Sequence, residues 1–175
     1  MQTIPPIAIP GDAAVGASGL ASHILATNML RTMARSPCAL EGHAQWRNAL
    51  DRGMLSAQIR EQIALAVAQE NLCEYSLAEH AHLGAQLGLT QDQIQASRVA
   101  WAIDSRTNAI LRFARDLAAR RGQCSLAELR ENGCSDSDII EVVANVALNV
   151  FENYLNDVAL TDLDFPRIGH PAKAA

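Results

Sequence analysis

Between Ser56 and Gly88 the chain carries two apolar periods of helical spacing, with only Asn71 and its neighbour to connect them. Ser56 suits an N-cap, SAQIREQIALAVAQEN follows as a strongly periodic helix, and Asn71 stands where that helix stops. From Leu72 or Cys73 a second helix runs to Gly88, a residue suited to end it. A connection this short forces the two helices to pack against each other.

The rest of the chain keeps the same period. Ser22 to Arg35 places Ile24, Leu25, Met29, Leu30 and Met33 at helical spacing, and Ser36-Pro37 breaks the run. A segment from about Pro37 to Arg52 closes at Gly53, and Thr90 caps TQDQIQASRVAW. Ser105 or Thr107 opens NAILRFARDLAARRG, which Gly122 ends, and SLAELRENG ends at Gly133. Ser135 caps the longest helix, DSDIIEVVANVALNVFENYLNDVAL, and the tail TDLDFPRIGHPAKAA turns irregular at Pro166. No stretch alternates as a strand does, no long linker divides the chain and no internal repeat stands out. At 175 residues, rich in alanine and with 4% aromatics, the chain is expected to form an all-α, single-domain bundle of seven or eight helices. Residues 1–20 read as an extended N-terminal arm, 21–166 as the domain and 167–175 as a C-terminal tail. The arm, with Pro5, Pro6 and Pro10, either lies loose or crosses a neighbouring subunit.

Charge and composition set limits on partners. A net charge of −5 argues against nucleic acid, which requires a concentrated basic surface. The basic cluster Arg112, Arg115, Arg120 and Arg121 lies along one amphipathic helix and reads as a solvated face. No apolar run reaches the roughly 20 residues needed to cross a membrane, and the N-terminus lacks the basic start and compact apolar core of a signal peptide. Cys38, Cys73, Cys124 and Cys134 show neither disulfide-framework nor zinc-ligand spacing. The expected setting is a reduced cytoplasm, with no membrane or metal partner.

Chemistry concentrates in ENLCEYSLAEH, residues 70 to 80. Cys73 falls in the first turn of its helix, with Ser76 and His80 three and seven residues on, all on one face. A thiol at a helix start meets unpaired N–H groups and the positive end of the dipole, which favour a thiolate. His80 can accept or deliver a proton, and Glu61, twelve residues before Cys73, can hold and polarise it. Glu70, at a helix C-terminus, is expected to be exposed. The plainer alternative is a small buried cysteine and a hydrogen-bonded histidine. Tyr75 projects off the shared face, either packing against a neighbour or guarding an entrance for substrate. His82 points elsewhere than His80, and His23, His43 and His170 have no partner spacing. Asn145, Asn149, Asn153 and Asn156 form an amide stripe that either satisfies buried polar neighbours or lines a pocket, with Asn149 the candidate substrate contact. Trp46 and Trp101 read as core or interface anchors.

The run LSAQIREQIALAVAQENLCEYSLAEHAHLGAQLGL resembles the core of the alkylhydroperoxidase D-like and carboxymuconolactone decarboxylase superfamily. NMLRTMARSPCALEGHAQWRNAL, LRFARDLAARRG, GCSDSDIIEVVANVALNVFENYLNDV and TDLDFP extend the resemblance over roughly residues 22 to 166. The family pattern is an acid followed twelve residues later by Cys-x-x-Cys-x-x-x-His, and Glu61, Cys73, Ser76 and His80 occupy those places. The resemblance implies an all-helical fold that assembles as trimers or hexamers with the site near a subunit contact. It also implies that the second cysteine attacks hydroperoxide, the first resolves the sulfenic acid, and the acid and histidine relay protons. Here Ser76 stands in the attacking position, and a hydroxyl lacks the soft thiolate that peroxide reduction requires.

Three readings follow. The first is a thiol-dependent hydroperoxidase-related antioxidant protein, in which Cys73 alone is oxidised, an external thiol restores it, and Glu61 and His80 relay protons. The second is a non-redox acid–base enzyme of the decarboxylase type acting on a small organic acid. The third is a silent ligand-binding oligomer. None calls for a metal, flavin or haem.

Overall fold

The computed structural model describes residues 3–7, 27–119 and 125–168. Among these residues there are eight α-helices and no strand. In chain order they are α1 (Asn28–Met33), α2 (Pro37–Leu50), α3 (Ala57–Asn71), α4 (Glu74–Gln86), α5 (Gln91–Arg98), α6 (Ser105–Ala118), α7 (Leu126–Glu131) and α8 (Asp136–Ala159). The expected all-α bundle is therefore what forms. The arm beyond residue 7, the opening of the Ser22–Arg35 segment, His23, His170, Cys124, Arg120 and Arg121 lie outside the described residues.

The caps explain the boundaries. The hydroxyls of Ser56, Thr90 and Ser135 accept from Ile59, Gln93 and Asp138 backbone N–H groups, and the last two complete capping boxes. The start of α6 shifts from its expected place, because the Asp104 carboxylate, a strong cap, accepts from Thr107 N–H ahead of Ser105. Helix α5 stops at Arg98, short of Trp101, where Ala100 turns to φ 56°.

Helix α3 is the centre of the bundle, packed by α4, α5, α6 and α8. Its run from Glu61 to Ala68 is buried on every side, which is why this segment reads as almost continuously apolar. Ala64, Ala66 and Ala68 let neighbours approach closely, while Ile63, Leu65 and Val67 fill the space between. Each of those larger side chains contributes about 1.5–3 kcal/mol on burial.

The turn from α3 to α4 is as tight as the sequence implies. Leu72 takes a left-handed conformation (φ 57°, ψ 30°), and Cys73 N–H returns to Ala68 O at 3.0 Å. A left-handed leucine costs about 1–3 kcal/mol, held here by the packed helices on either side. This turn places Cys73 as the N-cap of α4, just outside the first turn that was expected for it.

The basic face behaves as expected where it is described: Arg112 pairs with Glu128 at 2.8 Å and is half exposed. Helix α8 is less ordinary. Ile140, Val143, Phe151, Tyr154 and Val158 recur at helical spacing along it and are all exposed. No helix among the described residues is long and apolar enough to cross a membrane.

Candidate functional site

Four helices deliver the polar residues. Glu61 comes from α3, Ser76, Glu79 and His80 from α4, His43 and Arg47 from α2, and Asn149, Glu152, Asn153 and Asn156 from α8. Gly84, one turn beyond His80, leaves room for Leu89, whose Cδ1 would lie 3.0 Å from a Cβ there. The expected Glu61–His80 pair is formed: Nδ1–H of His80 donates to Glu61 Oε2 at 2.7 Å, and His80 is 1% exposed.

The expected pairing of Cys73 with Ser76 is also present. The Cys73 thiol donates to Ser76 Oγ at 3.4 Å and faces Asn153 O at 4.0 Å, while Asn156 Nδ2 donates to Ser76 Oγ at 3.4 Å. No hydrogen bond joins His80 to Cys73 or Ser76 among the described residues. The constellation read as one relay is thus two adjacent pairs, Glu61–His80 and Cys73–Ser76.

Burial reverses the electrostatics expected at Cys73. The thiol is 1% exposed, and loss of solvent raises its pKa above the ordinary value, with the Ser76 hydrogen bonds only partly offsetting this. As an N-cap it makes no side-chain bond to the helix start. It sits in a small cluster with Met29 and Tyr75, on which Leu30, Leu155 and the tail residues Leu163 and Phe165 pack. Asp164 latches that tail, its Oδ2 accepting from Tyr75 Oη–H and Asn28 N–H, both at 2.6 Å. Tyr75 is thereby committed to the tail and does not border the cavity at His80. Hydrogen bonds to a charged group contribute about 1.5–3 kcal/mol each. Asp164→Ala is therefore expected to raise the rate of Cys73 alkylation roughly tenfold or more, read by peptide mass mapping. An unchanged rate would show that the tail does not limit access.

His80 resists the usual effect of burial. Desolvation opposes its charged form, yet the charge and hydrogen bond of Glu61, joined by Glu79 and Glu152, outweigh it and raise the pKa. Glu79, 8% exposed, is pushed to about 7, first by desolvation, with the nearby His80 lowering and Glu152 raising it. Glu152 goes the other way. Burial would raise it, but the His43 hydrogen bond and the charges of Arg47, His80 and His43 hold it below the carboxylate range.

Glu152, His43, Arg47 and Glu79 escape the sequence reading. His43 Nε2–H donates to Glu152 Oε1 at 2.7 Å, and Arg47 Nη1 lies 3.3 Å from the same oxygen. For Glu152 a signal existed: it sits three residues after Asn149 and four before Asn156, on the amide stripe itself. The stripe is buried, and its C-terminal half faces α4. As α4 advances from Ser76 to His80, its partners on α8 step back from Asn156 to Glu152, so the two helices run antiparallel.

A cavity of about 20 Å³ adjoins Glu61, His80, Arg47, Arg60, Asn145 and Asn149. It has room for about one water molecule. Asn149 borders the cavity, and its amide donates to Asn145 O at 2.8 Å. A separate hollow of about 470 Å³ lies beside Trp101 and Ile103 and shares none of these residues. His82 stacks obliquely against Phe165 at 5.4 Å, away from His80. Cys134 packs in the main core cluster, apart from the cluster of Cys73.

Comparison with known proteins agrees with this architecture. An uncharacterized peroxidase-related protein from Silicibacter sp. TM1040 superposes with a TM-score of 0.75 at 20% identity, covering 92% of each chain. An uncharacterized peroxidase-related protein from Ralstonia eutropha JMP134, described as an alkylhydroperoxidase AhpD core, gives 0.74 at 22% identity over 94% of each chain. A cysteine-to-alanine form of the debrominase Bmp8 in complex with 2,3,4-tribromopyrrole gives 0.77 at 16% identity, over 94% of this chain and 92% of that one. At these identities the likeness is one of fold. No curated protein sequence matches the chain. The family model for carboxymuconolactone decarboxylases matches residues 31–120, which takes in α2 to α6 with Glu61, Cys73, Ser76 and His80, and the chain belongs to that family.

Proposed function

We propose that the chain is an acid–base enzyme that transfers a proton to a small organic acid as it loses CO2, with His80 as the acid. One observation carries this reading. His80 is held through Nδ1 by Glu61 at 2.7 Å, and its buried Nε2 has no hydrogen-bond partner among the described residues. A histidine held this way is fixed in tautomer and orientation, and Glu61 raises its pKa against desolvation, which favours the proton-carrying form. Arg47 and Arg60 border the same cavity as His80, paired with Glu152 at 3.3 Å and with Asp51 at 3.1 Å. As the carbon–carbon bond to the carboxylate breaks, its electron pair passes through a conjugated double bond into a carbonyl, giving a dienolate. A carbon of that dienolate then takes the Nε2 proton of His80, and water restores that proton.

Peroxide reduction at Cys73 is the second reading, favoured by the contact between its sulfur and the Ser76 hydroxyl. There the thiolate would attack the peroxide, forming an S–O bond as the O–O bond breaks and alcohol leaves with a proton. An external thiol would then reduce the sulfenic acid to thiol and water, itself becoming a disulfide. The raised thiol pKa weighs against this cycle. The exposed apolar stripe of α8 supports a homo-oligomer in either case.

Two assays run side by side separate the readings: decarboxylation of 4-carboxymuconolactone, and consumption of cumene hydroperoxide with dithiothreitol. The expected result is CO2 release that survives Cys73→Ser and vanishes in His80→Gln. Peroxide consumption that depends on Cys73 and rises in Ser76→Cys, without CO2 release, would overturn the acid–base reading in favour of the second.

A further inference from the structure

The outer edge of His80 faces a second carboxylate. Glu152 Oε2 lies 3.9 Å from His80 Nε2, and neither atom has a hydrogen-bond partner among the described residues. Both side chains are almost wholly buried, at 2% and 1% exposure. Orphaned polar atoms at that depth are rare and costly. The other oxygen of Glu152 is fully engaged by α2, with His43 at 2.7 Å and Arg47 at 3.3 Å. The carboxylate is thus anchored on one side and aimed at the imidazole on the other.

We infer that Glu152 is a second positioning residue of the site: it holds charge opposite His80 Nε2, while His43 and Arg47 fix it in place. The distance decides what it does. At 2.7 Å, as between Nδ1 and Glu61, a proton is held in a hydrogen bond. At 3.9 Å the hydrogen bond is gone, since such bonds weaken steeply past about 3.5 Å. Coulomb attraction falls only inversely with distance and keeps about two-thirds of its strength over the same change. Glu152 therefore favours the imidazolium without capturing the proton that His80 is to give. Its functional meaning rests on the acid–base reading above, whereas the titration that tests it does not.

Several charges face His80, and the test has to separate them. Glu61 approaches from α3, Glu79 lies beside it on α4, Glu152 comes from α8, and Arg47 and His43 come from α2. Of these, Glu152 is the one set against Nε2, as Glu61 is against Nδ1. Removing a carboxylate at this range lowers a histidine pKa by about 1–3 units.

The experiment is a histidine ring titration of the full chain by NMR, with assignment of His80 from His80→Gln. In Glu152→Gln the His80 midpoint is expected to fall by about one unit or more. Glu152→Asp, which keeps the charge, is expected to recover part of that fall. A midpoint in Glu152→Gln equal to that of the unmodified protein would overturn the assignment. Should that variant fail to fold, the unmodified protein still decides the matter. The side-chain carboxyl resonance of Glu152 is expected to move at the His80 midpoint, and a resonance that stays still there overturns the inference. Absence of turnover on any substrate would defeat the acid–base reading and leave this result intact.

Discussion

Exchanging His80 for glutamine is expected to slow proton transfer to the substrate roughly 100- to 10,000-fold, the usual contribution of a positioned general acid. Glu61→Gln tests the same pair more finely. The amide oxygen still accepts from Nδ1–H, so the ring stays oriented, but the negative charge is lost. Because Glu61 is the main influence raising the His80 pKa against desolvation, that pKa should fall. The imidazolium is the working form, so activity declines as pH rises through the His80 value. In Glu61→Gln that decline should begin at lower pH. A pH–rate profile checks it, and an alkaline limb that does not move would mean His80 is not the acid. The same shift bears on stability. A histidine with a raised folded pKa contributes stability in full below its unfolded value, and that contribution is lost as pH rises through the folded one.

The second large effect concerns Glu79. Desolvation lifts its carboxyl from 4.5 to about 7, with Glu152 and Glu61 adding to the rise and His80 and Arg47 opposing it. The folded state therefore prefers the neutral acid. Below about 4.5 folding and unfolding bind the proton equally, and between 4.5 and 7 stability erodes as pH rises. Above 7 the full cost of holding a buried carboxylate applies. At 1.36 kcal/mol per pKa unit this amounts to roughly 3 kcal/mol. Glu79→Gln is thus expected to be more stable than the unmodified protein at pH 8, by up to that amount, and similar to it near pH 4.5. Urea unfolding at the two pH values measures the difference. Equal midpoints at pH 8 would show that Glu79 ionises there at no cost, through charges that stabilise it more than desolvation opposes it.

Much of the fold was legible because helices are local objects. Ser56, Thr90 and Ser135 announce their helices through side chains that reach only three residues along the chain. The Cys73–Ser76 contact is of the same kind, an offset of three across one helical turn. Glu61 and His80 are nineteen residues apart, yet their meeting was also readable, because the turn at Leu72 is too short for α3 and α4 to separate. Asp104 was passed over as a cap for a local reason too, since Ser105 and Thr107 offer competing hydroxyls one and three residues on.

Other contacts have no such route. His43 and Glu152 are 109 residues apart, and nothing in the spacing of either helix records that α2 and α8 lie side by side. The amide stripe on α8 showed a polar face but not what it faces. Its partner is set by the antiparallel register of α4 and α8, which is a property of packing.

The sequence by itself determined the helices, the one-turn face of Cys73, Ser76 and His80, and the Glu61–His80 pair, because each follows from backbone geometry over a turn or across a single tight connection. Tertiary structure alone decided which groups carry charge there. A pKa responds to solvent lost and to charges within a few ångströms, and both depend on elements far apart in the chain. That is why a thiol at a helix start, which local reasoning makes acidic, is instead pushed up by burial in a cluster drawn from distant parts of the chain. It is also why the pKa of a fully buried histidine is raised, by carboxylates that stand on three different helices.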